Sequence, residues 1–305
     1  MTVLYRAPDG TAFTSAKEIN EANDLVGSLA QFSDHGEYER YVESYVARSA
    51  QVRAELLGEI GIPYGPSLAE TLDIFPGAPG GPLVVFVHGG SWIELTSAEH
   101  SFIAPGLVEH GATVVIPTYA LAPTVSIDEI VRQVRAAFVW AYRNGSRYGA
   151  DPSRIVTVGH SAGGHLVARL LETDWEGEYG LPSSPIAGAV ALTGIFDLRP
   201  IPYTSEQELI RLTADQVLRN SPILNLPLQA PPLLLTYAAN QPLEYKRQSN
   251  DYFRAWTAMG LTAEVWEREG VNHFDEIDDL GRADSELTRR VLALTQNESA
   301  LSGSS

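Results

Sequence analysis

The sequence predicts an α/β protein whose mainly parallel sheet is covered by helices on both faces. Short β-branched apolar runs recur from residue 69 onward, and amphipathic stretches long enough for a helix separate most of them. The runs are continuously apolar rather than alternating, which is typical of parallel strands buried on both faces. A chain of 305 residues with 44% hydrophobic residues is long enough for one such domain.

The individual elements follow from the same periodicity. Two helical patterns come first, a short polar one over residues 15–27 and a longer one over residues 37–57. The clearest later helix begins at Ser126, where Ser126 and Glu129 fit a capping box, and it continues to Tyr142 with one apolar face. The predicted strands are 69–75, 83–87, 113–116, 155–158, 186–192, 233–237 and 263–267.

This pattern divides the chain into three parts. Residues 1–62 form an N-terminal helical extension, residues 63–295 the α/β domain, and the small polar residues 296–305 a disordered tail. We expect the extension to fold over the mouth of the site as a partial cap. Its aromatic residues, together with Trp92, would line a pocket, and the alternative is that they belong to the core. These residues are Tyr38, Tyr41, Tyr45 and Trp92.

Composition argues against several classes of function. Because cysteine is absent, disulfides, thiol catalysis and cysteine metal sites are excluded. The net charge of −17 repels phosphate backbones, so we expect no nucleic-acid partner. No apolar run is long enough to span a membrane and the N-terminus lacks a secretion-signal layout, which predicts a cytoplasmic protein. The histidines show no metal-binding spacing, so no metal or cofactor is expected, and a homodimer stays open.

A G-x-S-x-G motif supplies the candidate nucleophile. Gly159-His-Ser161-Ala-Gly163 directly follows the predicted strand 155–158 and precedes an amphipathic segment over residues 166–171. A serine on such a strand-to-helix turn is held in a strained conformation with its hydroxyl exposed. The turn also directs backbone N–H groups and the positive end of the helix at the reacting centre. The alternative is an ordinary glycine-rich turn.

A second glycine motif supplies a candidate oxyanion hole. His88-Gly-Gly-Ser-Trp92 follows the predicted strand 83–87, and its two glycines let the backbone approach a substrate closely. An N–H group of Gly89 or Gly90, together with that of Ala162, would bind the negative oxygen of a tetrahedral intermediate. We interpret His88 as an organiser of this loop, and the alternative is a tight turn without a ligand.

The base must come late in the chain, after the last strand. Of the seven histidines, only His273 has this placement, between strand 263–267 and a C-terminal helix. The histidines beside the nucleophile, His160 and His165, are interpreted as packing or pocket residues, and His160 joins Trp92 and Tyr41 as candidates for the substrate pocket. The remaining histidines apart from His88 are interpreted as surface residues, namely His35, His100 and His110.

Taken together, these motifs resemble the kynurenine formamidase (arylformamidase) branch of the α/β-hydrolases, close to the hormone-sensitive-lipase-like esterases. The likeness extends from about residue 64 to residue 292. It includes Tyr64-Gly-Pro, Leu72-Asp-Ile-Phe75, Leu121-Ala-Pro123, Gly194-Ile-Phe-Asp-Leu198 and Glu244-Tyr-Lys-Arg-Gln-Ser249, the last of which is similar to that family's E-F-x-R-Q-S signature.

The resemblance implies an α/β-hydrolase fold with an eight-stranded type of sheet. It also implies a serine hydrolase that cleaves a small carboxylic ester or an N-formyl or aryl amide through an acyl-enzyme, with a small-molecule substrate and no cofactor. Ser161 would be the nucleophile and His273 the base. The oxyanion N–H groups would come from Gly89, Gly90 and Ala162.

The acid of the catalytic triad departs from the family pattern. Such enzymes place an aspartate three residues before the signature glutamate, and this chain has Gln241 there, preceded by Asn240. A neutral amide can orient an imidazole but cannot balance its positive charge. Either Glu244 or Asp197 reaches His273 instead, or the enzyme works without an acid on an activated substrate. Two further alternatives are that the site catalyses acyl transfer, cyclisation or elimination instead of hydrolysis, and that the protein binds a ligand without catalysing a reaction.

Overall fold

The computed structural model describes residues 3–8, 10–23 and 37–296. The predicted surface residue His35 and the predicted tail beyond residue 296 lie outside these ranges. So does the part of the first predicted helix beyond residue 23.

A hairpin and two helices precede the main sheet. Strand β1 (Tyr5–Arg6) pairs antiparallel with β2 (Ala12–Phe13), and α1 (Ala16–Asn23) and α2 (Glu37–Glu55) follow. Both helices lie inside the segments that the sequence predicted as helical. Tyr5, Ala7 and Ile19 form a small hydrophobic cluster of their own, which anchors α1 to the hairpin.

One mixed sheet of eight strands forms the centre of the protein. Its strands are β3 (Glu59–Pro63), β4 (Thr71–Phe75), β5 (Gly81–Val87), β6 (Thr113–Pro117), β7 (Ala150–His160), β8 (Gly188–Leu192), β9 (Leu233–Ala238) and β10 (Ala263–Arg268). They lie in the order β10-β9-β8-β7-β5-β6-β4-β3. All pairs from β10 to β6 are parallel, and only β4 and β3 run antiparallel to their neighbours. The predicted mainly parallel sheet is confirmed.

Strand β3 is the strand of the main sheet that the sequence pattern did not reveal. It pairs with β4 at the edge of the sheet and begins at residue 59, so the sheet starts ahead of the boundary placed at residue 63. Four of its five residues are exposed, and it contains Gly61 and ends at Pro63. An exposed edge strand needs no continuous apolar run, and such a run was the signal that identified the other strands.

Helices cover both faces of this sheet. They are α3 (Ala104–Glu109), α4 (Ile127–Asn144), α5 (Ala162–Leu171), α6 (Trp175–Tyr179), α7 (Gln207–Ile210), α8 (Ala214–Arg219), α9 (Leu243–Ala258) and α10 (Glu286–Ala293). Short 3-10 turns lie at Ser97–Glu99, Ser101–Ile103, Gly145–Tyr148, Ile201–Tyr203, Pro222–Leu224, Asp275–Gly281 and Leu294–Gln296. None of the helices in the described ranges combines the length and apolar character that crossing a bilayer requires.

The core consists of two hydrophobic layers, one on each face of the sheet. Along β5, Leu83 and Val85 lie in one layer and Val84 and Phe86 in the other, because successive side chains of a strand point to opposite faces. The first layer includes side chains from α4, α5 and α9, and the second includes side chains from α2, α3 and α10. Both layers bury apolar surface, which is the main stabilising contribution to such a fold.

Helix α4 begins where the sequence predicted, but only half of the capping box forms. The Ser126 hydroxyl accepts a hydrogen bond from the Glu129 N–H at 3.4 Å. The Glu129 carboxylate instead accepts hydrogen bonds from Arg132 and Gln133 on the next turn. A guanidinium one turn away competes successfully with a backbone N–H for this carboxylate, because the bond is charge-assisted.

Candidate active site

The segments that follow the parallel strands converge at one edge of the sheet. Parallel strands end side by side, so the residues after their carboxyl ends form the usual ligand-binding edge of such a fold. His88 follows β5, Ser161 follows β7, Thr193 follows β8, Gln241 follows β9 and His273 follows β10. The topology therefore brings the predicted catalytic residues to one place.

Ser161 lies on the sharp turn between β7 and α5. Its backbone has φ 56° and ψ −119°, a conformation that is costly for a residue with a side chain. The Ser161 N–H donates to the Leu192 carbonyl at 2.9 Å, which ties the turn to the neighbouring strand. A Cβ on Gly163 would lie 2.0 Å from the Val87 carbonyl oxygen, so this position requires glycine. The G-x-S-x-G segment thus forms the predicted strand-turn-helix.

The loop after β5 passes directly beside this serine. A Cβ built on Gly89 would lie 3.1 Å from the Ser161 Cβ. Gly90 has φ 101°, and a Cβ there would meet the Glu94 carbonyl oxygen at 2.2 Å. Ala162 is the first residue of α5, where N–H groups have no partner inside the helix. The three predicted oxyanion-hole residues therefore lie around the same corner.

His88 supports this loop from inside the core. Its ring stacks on Tyr119 with centroids 4.2 Å apart, and its Nδ1 lies 2.8 Å from the Gly89 carbonyl. Since a carbonyl only accepts, Nδ1 is the donor. Burial lowers the pKa of His88 to about 3, so the ring is neutral. These contacts agree with the interpretation of His88 as an organiser of the loop.

The prediction that His100 is a surface residue is wrong. His100 is 1% exposed, stacks on His88 with centroids 5.4 Å apart, and donates from Nδ1 to the Thr96 carbonyl at 2.8 Å. Burial lowers its pKa to about 4. The linking segment around His100 carries no apolar periodicity, so the stack was invisible in the sequence. His110 is exposed as predicted.

His273 is oriented by the amide of Gln241. Its Nδ1 lies 3.3 Å from Gln241 Oε1, and Gln241 Nε2 donates to the Thr193 hydroxyl at 2.5 Å. Because Thr193 holds the amide nitrogen, the amide oxygen faces the imidazole and accepts from Nδ1–H. The Nε2 atom of His273 is then left as the basic nitrogen. Burial, and then repulsion from His160, holds the pKa of His273 well below its usual value.

Ser161 and His273 line one cavity of about 270 Å³. Within the described residues, the hydrogen bonds of the His273 ring and backbone carbonyl run to Gln241 and His160, and none joins its ring to Ser161. In unliganded sites such bonds are often long and tighten when substrate binds. The cavity is also lined by residues of the two N-terminal helices, namely Asn20, Asn23, Tyr38 and Tyr45.

Neither alternative acid reaches His273, so both of those predictions are wrong. Glu244 accepts hydrogen bonds from Arg247 at 2.8 Å and from Gln248 at 3.1 Å. Asp197 accepts from Tyr5 at 2.7 Å and from Arg199 at 2.8 Å. Both carboxylates are neutralised by a guanidinium from their own segment, which holds them away from the imidazole.

Asn240 likewise makes no contact with His273 among the described residues. It lies exposed in the turn after β9, one residue before Gln241. Gln241 alone occupies the position of the triad acid. Its neutral amide can orient the ring but cannot compensate a positive charge on it.

Of the three predicted pocket residues, one lines the cavity and two pack elsewhere. His160 lines the cavity as predicted. Trp92 is fully buried, donates from its indole N–H to His165 at 3.2 Å, and lies in the core. Tyr41 stacks on Phe274 and accepts from the Asn272 amide at 2.5 Å. The assignment of Trp92 and Tyr41 to the pocket is therefore wrong, because packing directs both side chains elsewhere.

Two carboxylates on the cavity wall were missed by the sequence analysis. Glu94 accepts a hydrogen bond from the Tyr38 hydroxyl, and Glu206 accepts from the Ser91 hydroxyl at 2.6 Å. Burial raises the pKa of Glu206. The cavity-lining residues within the described ranges include no lysine or arginine. No motif marks these glutamates, because they lie in separate loops that only the fold brings together.

A third missed carboxylate lies behind the base. Glu276 is fully buried, and its Oε1 lies 3.4 Å from His160 Nε2. His160 Nε2 also lies 2.7 Å from the His273 carbonyl, to which it donates. One potential metal-ligating atom from each of His160, His273 and Glu276 lies within 4.8 Å of the others. The only signal in the sequence was an acid three residues after the base.

Comparison with known proteins agrees with this geometry. A family model of the alpha/beta hydrolase fold matches residues 84–274. Kynurenine formamidase of Danio rerio is 34% identical over 241 residues, which cover 76% of this chain and 80% of that protein. Kynurenine formamidase of Salmo salar is 32% identical over 280 residues, which cover 88% and 93% respectively.

A solved structure extends the likeness to nearly the whole fold. A protein from Silicibacter sp. tm1040 superposes with a TM-score of 0.77 at 28% identity, covering 90% of this chain and 98% of its own. The sheet, the strained turn at Ser161 and the sequence similarity all indicate the same family. The chain belongs to the α/β-hydrolase family, as a hydrolase with kynurenine formamidases among its relatives.

Proposed function

We propose that the protein is a serine hydrolase that cleaves a small carboxylic ester or an N-formyl or aryl amide through an acyl-enzyme. The observation that carries this proposal is the shared cavity of Ser161 and His273, with the serine on a strained turn and the imidazole oriented by Gln241. The names of the relatives support a formyl amide or an ester as the substrate.

The mechanism follows from the positions of these groups. His273 Nε2 takes the proton of the Ser161 hydroxyl while Oγ attacks the substrate carbonyl. N–H groups of Gly89 or Gly90 and of Ala162 stabilise the oxyanion of the tetrahedral intermediate. His273 then returns the proton to the leaving alcohol or amine, and a water molecule, activated in the same way, hydrolyses the acyl-enzyme.

The cavity supports a small substrate without a carboxylate. Its volume of about 270 Å³ is at the lower end for ligand pockets. Glu94 and Glu206 lie on its wall without a described lysine or arginine, so a carboxylate there would be repelled. Because α1 and α2 both contribute to the wall, we propose that the extension serves as a partial cap.

Replacing Ser161 tests the proposal directly. S161A should abolish turnover of a formanilide or 4-nitrophenyl ester and prevent labelling by a fluorophosphonate probe. Ser153, an exposed serine on β7, gives the matched control S153A, which should behave as the parent. Turnover by S161A at the parental rate would exclude this mechanism.

The neutral amide at Gln241, in place of an acid, favours one second candidate function. This candidate is an acyltransferase, cyclase or lyase that uses the same serine. Reaction in ¹⁸O-labelled water separates the two, because only hydrolysis places the label in the acid product. A protein that binds without catalysing would give no covalent labelling. Cytoplasmic location and homodimer formation stay predictions from the sequence.

A further inference from the structure

We propose that Glu276 supplies the negative charge that the active-site imidazole lacks at Gln241, and that Glu276 is therefore a positioning and charge-balancing residue for His273. The inference rests on the proposed serine hydrolase function. It divides the two tasks of a triad acid between two residues: Gln241 orients the ring, and Glu276 compensates its charge.

Glu276 belongs to the same loop as the base. It lies in the 3-10 turn Asp275–Gly281, three residues after His273, and its N–H donates to the Asn272 carbonyl at 3.1 Å. The loop therefore closes back on itself around His273. The Arg268 guanidinium donates to the Glu276 backbone carbonyl at 2.6 Å, which fixes the backbone at this point.

The carboxylate of Glu276 is buried without ordinary compensation. Its exposed fraction is 0%, and neither of its oxygens has a hydrogen-bond partner among the described residues. The other buried acids near the site, Glu244 and Asp197, are each paired with a guanidinium. A buried carboxylate without such a partner is costly, and an apolar side chain of the same size would avoid that cost. An acid kept in such a place, beside two histidines, points to a function for its carboxyl group.

The charge lies within reach of the imidazole. Glu276 Oε1 is 3.4 Å from His160 Nε2, and a ligating atom of His273 lies within 4.8 Å of both. At such distances inside a protein, a negative charge favours the imidazolium that His273 becomes when it takes the Ser161 proton. His160 also donates to the His273 carbonyl, so the same contact fixes the loop.

The remaining charged and titratable groups around Glu276 do not replace it. Tyr45 from α2 and Asp275 from the same loop both interact electrostatically with Glu276. Tyr45 is a neutral phenol and Asp275 is an acid, so neither supplies a positive charge that would neutralise Glu276. The guanidinium of Arg268 is engaged by backbone and by Asp279. The histidines His160 and His273 are thus the groups that a charged Glu276 would stabilise.

The test is a double-mutant cycle between Glu276 and Gln241. E276Q should lower kcat by about 10²-fold with little change in KM, because charge compensation acts mainly in the transition state. The acid limb of kcat/KM should move to lower pH, because the imidazolium loses its counter-charge. Adding Q241D to E276Q should restore most of the rate and move that limb back to higher pH.

Two controls separate a functional role from a structural one. D275N removes the neighbouring charge of the same loop and keeps an acceptor for the Asn272 N–H, and it should leave kcat near the parental value. Q241D alone should raise kcat less than tenfold, because the parent already has a compensating charge. Q241D alone tests the proposal even if E276Q does not fold. A rise in kcat of about 10³-fold in Q241D would show that the parent lacks a compensating charge and would overturn the proposal.

Several results would contradict the proposal. These are a parental kcat and pH profile in E276Q, a loss in E276Q that Q241D does not rescue, and Zn²⁺ binding to the parent that E276Q abolishes. The last would make Glu276 a metal ligand. S161A separates failure of the proposed serine hydrolase function from failure of the role proposed for Glu276. An inactive S161A with a fully active E276Q refutes only the role of Glu276. An active S161A refutes the proposed function.

Discussion

One hydroxyl decides which way the amide of Gln241 faces. Thr193 has φ 43°, and its N–H donates to the Thr236 carbonyl at 2.7 Å, so its side chain is fixed at the end of β8. With the amide nitrogen held by Thr193, the oxygen faces His273 Nδ1. An inverted amide would direct its own N–H groups at the Nδ1 proton and would destabilise the tautomer that catalysis needs.

We therefore expect T193V to impair catalysis more than folding. Without the hydroxyl, the amide of Gln241 loses the partner that distinguishes its two ends, at a cost of about 1 kcal/mol. The expected result is a fall in kcat of about tenfold, measured on a 4-nitrophenyl ester, with KM and Tm little changed. T193S retains the hydroxyl and should keep most of the activity. Equal activity in T193V and T193S would show that Thr193 does not orient the amide.

At the residue scale, the sequence predicted what local chain geometry determines. Ser161 could be placed because strand, turn and helix are contiguous, and His273 because it follows the last strand, whereas Gln241 was placed through the resemblance to the family signature that begins at Glu244. The role of Glu276 could not be predicted, because its burial depends on α2 and β7 packing against its turn. Trp92 was assigned to the wrong place for the same reason, since its indole is directed by His165, far away in sequence.

The helix α2 stabilises the loop that carries the base. Its Tyr45 hydroxyl donates to the Phe274 carbonyl, and its Tyr38 and Tyr41 rings pack against the Phe274 ring. Arg48 pairs with Asp278 farther along the same loop, at 2.6 Å. The sequence predicted this helix from its periodicity. It did not identify the loop as the partner, because helical spacing reveals a buried face and not what covers it.

Removing the Tyr45 hydroxyl should therefore destabilise the loop that carries His273. Y45F leaves the buried Phe274 carbonyl without that donor, which should lower the free energy of unfolding by about 1–3 kcal/mol. Val46 is half exposed on the same helix and provides the control V46A, which should stay within about 0.5 kcal/mol. Urea denaturation measures both variants. A Y45F protein as stable as the parent would show that the helix does not support the loop through this bond.

At the scale of the whole molecule, charge shapes both the surface and the cavity. The net charge of −17 was readable from composition, but the two glutamates on the cavity wall were not. The net charge determines the sign of the electrostatic potential far from the protein. The potential inside the cavity depends instead on which loops the fold brings together around it. The mainly parallel character of the sheet, in contrast, followed from the predicted alternation of strands and helices, except at the antiparallel strands β4 and β3.

The negative cavity should select against anionic substrates. We expect kcat/KM for 2-formamidobenzoate to be at least about tenfold below that for formanilide, because a carboxylate in this cavity would be repelled by Glu94 and Glu206. E206Q should bring the two kcat/KM values closer together, because it removes one of the two cavity carboxylates. The exposed Glu208 provides the matched control E208Q, which should leave the ratio unchanged. Equal use of both substrates by the parent would contradict this assignment of charge.

Acid should destabilise the fold through its buried histidines. Burial lowers the pKa of His88 to about 3, of His100 to about 4 and of His165 to about 3, and that of His273 also falls. In the unfolded chain these groups bind protons near pH 6.5, so the unfolded state gains protons first. Their contribution is complete above pH 6.5 and is lost as the pH falls toward 4.

The free energy of unfolding should fall by about 1.4 kcal/mol per pH unit for each such histidine in this window. Burial raises the pKa of Glu172 to about 8 and also raises the pKa values of Glu206 and Asp275, which acts in the opposite direction, so the four histidines are opposed by these three carboxyl groups. Urea titrations between pH 7 and pH 4 measure the slope. A free energy of unfolding that does not change over this range would show that the histidines are not buried as neutral rings.

The low basicity of the buried His273 ring has a consequence for the conditions in which the enzyme can work. An imidazole that stays unprotonated in moderate acid remains a competent base there, so we expect the acid limb of activity to lie below the pH at which a solvent-exposed histidine titrates. Replacing His100 with a neutral aromatic ring that preserves its stack on His88 would then extend the acid tolerance of the fold and leave the contact of His88 with the Gly89 loop in place.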